Sequence, residues 1–258
     1  MPEPLWKLLA NCGSWVKIGN PAVKQLNQIQ DSYLRMVYSC PPSTPIPSLR
    51  ALAGVWDMQH KVALEKICLV ATILHGREDD NYARELLEEE LAQGWPGITK
   101  EVQELCNVMG LEDATKKYLT RSEVKDSLEF HHSQVLKQEM KGKSKCDDIC
   151  NRDLRKMQDF IKEKSLENSR LEVLWLTHMI DTRQTMKGKY KEPYTCPHCS
   201  DGLESGAIES PLHLMSCKAY EDLRQGIDPE LDQKERPGYL RKVISRRKDL
   251  ELKLLRRS

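Results

Sequence analysis

The residues best suited to chemistry in this 258-residue chain fall in one stretch, CPHCSDGLESGAIESPLHLMSC, at positions 196–217. Two chemistries compete for it. Thiol oxidoreductases use Cys-Pro-His-Cys, with the first thiolate stabilised at a helix N-terminus. That site needs an apolar strand in front and a βαβ unit around it. Here KGKYKEPYT precedes the cysteines and SDGLESGA follows, neither an apolar strand nor a helix, so the redox reading fails.

A metal site explains more residues. Two cysteines with two residues between them can sit on one tight turn with both sulfurs facing inward. Ser210 reads as a helix N-cap, Pro211 as its first residue and Gly226 as a left-handed stop, with Pro229 beyond. On that helix His213 and Cys217, four residues apart, project from one face, and Leu212, Met215, Ala219 and Leu223 make a separate packing stripe. Cys196, Cys199, His213 and Cys217 together offer three thiolates and one imidazole, a full tetrahedral shell for Zn²⁺. No position is left for an activated water, so the zinc is expected to be structural, and its binding energy would be folding energy for this segment. A DNA-reading ββα finger places a long helix before its first histidine. Here Pro211 starts the helix only two residues before His213, so groove reading by that geometry is not expected.

The elements that must carry this site read as helices. Charged residues make up 31% of the chain and aromatics only 6%, a composition favouring helix over strand. Asn20 and Pro21 open a helix whose apolar stripe is Val23, Leu26, Ile29, Tyr33, Leu34 and Val37. CPPSTPIP at 40–47 breaks the chain. Asp57 caps the next helix, expected to be the most buried, which runs to His75 and stops at Gly76. Asp80 caps another that ends near Gly94, and Thr99 starts a short one that ends at Gly110. Thr120 and Glu123 have capping-box spacing before a long helix toward Met140. KGKSK at 141–145 is a polar linker, with two further helical stretches at 152–164 and 168–180. The expected architecture is mainly α: a thumb-like multi-helix region at 1–110, a helical connector at 111–182, a C2HC zinc-binding region at 183–226 and a basic tail with a C-terminal helix at 227–258.

The longest uncharged apolar run, 67–74, is far short of the ~20 residues that span a bilayer. The first residues lack the basic and apolar regions of a signal peptide. The expected location is therefore intracellular, in nucleus or cytoplasm and away from membranes, with Cys12, Cys40, Cys68, Cys106, Cys146 and Cys150 as thiols, most of them buried.

Two stretches carry a resemblance. MIDTRQTMKGKYKEPYTCPHC with PLHLMSCKAYEDLR resembles the C-terminal cysteine/histidine region of non-LTR (LINE-type) retrotransposon reverse transcriptases, where a basic segment leads to CPxC and a His-Leu-Leu/Met-x-Cys helix follows. The upstream stretch from NCGSW to LEKI is similar to the thumb helices of the same family. The resemblance covers roughly residues 8–226. It implies that the thumb packs on a template–primer duplex and that the zinc region grips RNA or DNA. The family's catalytic aspartates lie in a Tyr/Phe-Ala-Asp-Asp turn, where paired carboxylates hold two metal ions. This sequence has no such turn, and Asp79 and Asp80 read as helix-capping residues. The chain therefore looks like a palm-less portion of that enzyme, without polymerase or endonuclease activity.

The expected function is non-catalytic nucleic-acid binding. Lys187, Lys189 and Lys191 interleave with Tyr190 and Tyr194, a phosphate-plus-stacking pattern suited to single strands. From residue 236 onward nine Lys/Arg stand against two acids, a local charge of +7 in a chain of net +1. Arg241, Lys242, Arg246, Arg247 and Lys248 are its densest part, positioned to release counterions from a phosphate backbone. The alternative is a helical protein-interaction module that binds a polymerase or itself through its amphipathic faces. The histidine pair His131–His132 and His178 have no nucleophile or carboxylate companion at motif spacing and read as surface or core residues.

Overall fold

The computed structural model describes residues 21–76, 82–143, 146–163, 165–182, 195–199, 207–224, 226 and 235–255. Among these the chain is mainly helical, with no strand and one isolated antiparallel bridge between Thr195 and Ile208. The helices are α1 (Pro21–Val37), α2 (Ile46–Ala53), α3 (Met58–His75), α4 (Tyr82–Gln93), α5 (Ile98–Val108), α6 (Arg121–Met140), α7 (Asp147–Cys150), α8 (Asp159–Glu163), α9 (Leu166–Leu176), α10 (Pro211–Ser216) and α11 (Arg236–Leu255), with a 3₁₀ segment at Lys218–Arg224. None of the described helices is long and apolar enough to cross a membrane.

Capping side chains decide several of these boundaries. Asp57 accepts the His60 amide at 2.9 Å and so starts α3. Glu123 accepts the Thr120 amide at 2.7 Å while Thr120 Oγ1 accepts the Glu123 amide at 3.3 Å, the reciprocal box expected from the sequence. Gly110 ends α5 at φ +65°, a conformation that costs glycine nothing.

The chain folds into two compact units. One takes the described residues up to Ser32 together with Gly54–Glu139. Its core is built on α3, where Ala63, Leu64, Ile67, Val70, Ala71 and Leu74 meet Leu87 of α4, Val102 and Cys106 of α5, and Val124 and Leu128 of α6. Lys66 of α3, almost fully buried, reaches Glu101 of α5 at 2.6 Å. The other unit takes Tyr33–Ala53 with the described residues from Met140 onward. There Ser48 of α2 lies 3.1 Å from the Cys146 sulfur, the Gln158 amide donates to the Leu52 carbonyl at 3.0 Å, and Arg170 of α9 donates to the Val37 carbonyl at 2.5 Å.

Some local expectations change. Ile29 is exposed and Gln30 buried, because the buried stripe of α1 steps through Val23, Gln30 and Leu34 and position 29 lies about 120° off it at 100° per residue. Residues 46–53 form a helix not foreseen behind the prolines; Pro47 falls in its first turn, where its missing N–H has no helical partner to lose. Gly97, not Thr99, is the cap of α5, and Thr99 donates its amide and hydroxyl to Glu90 at 2.7 and 2.5 Å. The stretches expected as helices at 152–164 and 168–180 are shorter, with turns at 151–156 and an end at Leu176. Asn20, Asp79, Asp80 and Cys12 lie outside the described residues.

Candidate metal centre

Two short described pieces of chain, 195–199 and 207–217, bring the cysteines and histidine together. The Thr195–Ile208 bridge, with the Cys196 amide donating to the Ala207 carbonyl at 2.8 Å, closes the loop that carries Cys196 and Cys199. Ser210 caps α10 by accepting the His213 amide at 3.0 Å, with Pro211 at the first helical position. That cap fixes the turn from which His213 projects.

The ligand atoms of Cys196, Cys199, His213 and Cys217 all lie within 4.8 Å of one another, and this cluster could hold a metal ion. Cys199 Sγ is 3.0 Å from Cys217 Sγ and 3.4 Å from His213 Nε2, while Cys196 Sγ is 4.0 Å from Cys217 Sγ. Cys196 and Cys217 are buried, and Cys199 and His213 partly so. His198, inside the Cys-x-x-Cys turn, instead stands edge-on to the buried ring of Tyr220, centroids 6.2 Å apart.

The helix does not continue through Cys217 to Gly226. It stops at Ser216, Cys217 turns extended (φ −58°, ψ 127°), and the chain resumes as the 3₁₀ segment. The break turns the amides of Lys218 and Ala219 toward the sulfurs of Cys199 and Cys217, and these hydrogen bonds favour thiolates. The packing stripe shifts with it: Leu212 is exposed, whereas Leu214, Met215 and Tyr220 are buried.

The sulfurs are not equivalent. The contact with the Cys217 sulfur holds the Cys196 thiol well below its ordinary value, against burial and with help from the His198 amide, His213 and the Cys199 amide. The same contact, with burial, pushes Cys217 up, and burial raises Cys199. A bound cation would displace the protons of the thiols.

Helix α11 braces this segment. Arg247 grips Glu209, the residue before the Ser210 cap, with Nε to Oε1 and Nη2 to Oε2 both 3.0 Å. Tyr239 donates its hydroxyl to the Leu214 carbonyl at 2.8 Å, and Arg246 pairs with Asp222. On α9, Glu172 accepts from Arg236 at 2.6 Å, and the Arg236 guanidinium stands 5.5 Å from the Trp175 ring centroid. Of the basic residues singled out for phosphate contact, Lys242 and Lys248 are exposed and Arg241 is exposed beside Glu167, 3.1 Å away. Arg246 is partly covered, and Arg247 is 6% exposed with its charge already paired inside the fold. Arg247 therefore braces Glu209 rather than facing a phosphate backbone. Lys187, Lys189, Tyr190, Lys191 and Tyr194 lie outside the described residues.

The sequence reading missed Glu209, Glu172 and Tyr239. The period of Arg236, Tyr239, Leu240, Val243 and Arg247 marks one buried face of α11. It does not reveal that its two arginines have acids waiting opposite. Comparison with family models, curated proteins and solved structures finds no match.

Proposed function

We propose that this chain is a non-catalytic nucleic-acid-binding protein akin to the thumb and Cys/His region of a LINE-type reverse transcriptase, acting in nucleus or cytoplasm, with a structural Zn²⁺ held by Cys196, Cys199, His213 and Cys217. The observation that carries it is the convergence of those four donor atoms beside a helix whose outer face presents Arg241, Lys242 and Lys248. The donor set suits zinc. Sulfurs on a tetrahedral zinc at about 2.3 Å lie roughly 3.8 Å apart, and the cluster's sulfur–sulfur distances of 3.0 and 4.0 Å bracket that value. The metal's part is to fix the shape of the segment; the lysines and arginines supply the contact with phosphate. The absence of a Tyr/Phe-Ala-Asp-Asp turn from the 258 residues supports a role without nucleotide transfer.

Fluorescence anisotropy of a labelled single-stranded RNA, measured across a salt series with and without a zinc chelator, tests the reading. Binding should fall steeply with salt and weaken on chelation. RNA affinity that is absent, or indifferent to salt, contradicts it. An apolar interface with a protein partner would keep its affinity over the same series.

A further inference from the structure

We infer that Asp57, His60 and His132 form a second metal site, in the helical unit, for a divalent first-row transition-metal ion such as Zn²⁺. Their ligand atoms lie within 4.8 Å of one another, and the residues are 8%, 6% and 2% exposed. They come from two places in the chain: the start of α3 supplies Asp57 and His60, and the middle of α6 supplies His132.

The geometry is close to that of a bound ion. His60 Nδ1 is 2.9 and 3.0 Å from the two Asp57 carboxylate oxygens, and His132 Nε2 is 4.0 Å from Asp57 Oδ2. The rings of His60 and His132 stand edge-to-face with centroids 4.8 Å apart. Nitrogen and oxygen ligands about 2.0–2.1 Å from a tetrahedral ion lie roughly 3.3–3.5 Å apart, between the two distances found. Side-chain shifts of well under the length of a bond close the set.

The surroundings fit as well. Asp57 Oδ1 is held by the His60 amide, which anchors the carboxylate and leaves Oδ2 toward His132. His60 Nε2 lies 3.0 Å from His131 Nδ1. A metal-bound imidazole uses its second nitrogen in such an outer hydrogen bond, which sets the tautomer and orients the ring. Coordination through His60 Nδ1 requires the Nε2–H tautomer, whose proton is donated to His131 Nδ1. Two imidazoles and one carboxylate favour zinc, cobalt or iron(II) over calcium or magnesium. Three protein ligands leave a coordination position for water or a small anion, unlike the Cys₃His cluster.

The test uses the full chain. It is first given one equivalent of Zn²⁺, which the thiolate cluster takes, and is then titrated with Co²⁺. A second equivalent should bind with visible d–d absorption and no thiolate-to-cobalt charge-transfer band. His132→Ala should lose that equivalent, and His131→Ala should weaken it about 10–100-fold. Cys199→Ser, titrated with Co²⁺ without the zinc preload, should still bind one equivalent with that d–d absorption. Because His132 is buried, ring-nitrogen NMR of the unsubstituted chain gives a measurement that needs no variant: the His60 and His132 signals should shift as the second equivalent binds. A stoichiometry that stops at one equivalent overturns the site, as do unmoved His60 and His132 signals or full second-site affinity in folded His132→Ala. Those outcomes would leave Asp57, His60 and His131 as a buried hydrogen-bond network.

Discussion

Arg247 and Glu209, 38 residues apart, meet as a two-pronged ion pair with both contacts at 3.0 Å and both side chains buried. The pair ties the C-terminal helix to the residue that precedes the Ser210 cap. A guanidinium matches a carboxylate edge to edge, which lysine cannot do. Within the metal segment Leu214, Met215 and Tyr220 are buried, and this ion pair holds the chain just before the cap that presents His213.

Arg247→Ala should therefore be severe. It strands Glu209 as a buried charge, at a cost of about 3–5 kcal/mol. The double variant Arg247→Met with Glu209→Leu should recover most of that loss, because an apolar pair carries no desolvation cost. Urea unfolding midpoints of the three chains measure both steps; a single variant as stable as the parent would show that the pair does not brace the fold.

Ser210→Ala should weaken metal binding without touching a ligand. The lost cap costs about 1 kcal/mol of local helix stability. Coupled to the orientation of His213, that corresponds to about a fivefold fall in zinc affinity. Competition against a chromophoric chelator reads it out, and an unchanged affinity would mean that α10 does not position the imidazole.

Lys242→Glu and Lys248→Glu should act on RNA binding alone. Each removes one exposed cation from the outer face of α11, so the slope of log K against log salt should become shallower by about 0.7 per lost contact on a single strand. Circular dichroism should not change. Slopes identical to the parent's would place the phosphate contacts elsewhere.

Glu101→Ala should destabilise the helical unit by about 1–3 kcal/mol, since it leaves the Lys66 ammonium buried and unanswered. Lys66 is 3% exposed, with its ammonium 2.6 Å from Glu101. Lys66→Met in the Glu101→Ala background should restore stability, as judged by thermal melts. Melts that place Glu101→Ala level with the parent would show that Lys66 finds another answer.

How legible this was depended on sequence distance. The Thr120–Glu123 box, the Asp57 cap and the Ser210–Pro211 start each involve residues within a turn of one another, so spacing alone reveals them. The Cys-x-x-Cys and His-x-x-x-Cys spacings likewise bring two ligands together locally, and the wish for four ligands joins the halves. The break at Cys217 was hidden because helix propensity favours continuing through it. His60 and His131 are 71 positions apart, and Arg236 and Glu172 64. No local pattern connects such residues; only the packing of α3 on α6, and of α9 on α11, reveals them.

The most direct measurement of the central claim is X-ray absorption at the zinc edge for the chain carrying one equivalent of Zn²⁺. Zinc held by Cys196, Cys199, His213 and Cys217 should give a four-coordinate shell of three sulfurs at about 2.3 Å and one nitrogen at about 2.0 Å, lost in Cys199→Ser. A first shell of nitrogen and oxygen only, or a sulfur count that Cys199→Ser leaves unchanged, would contradict it.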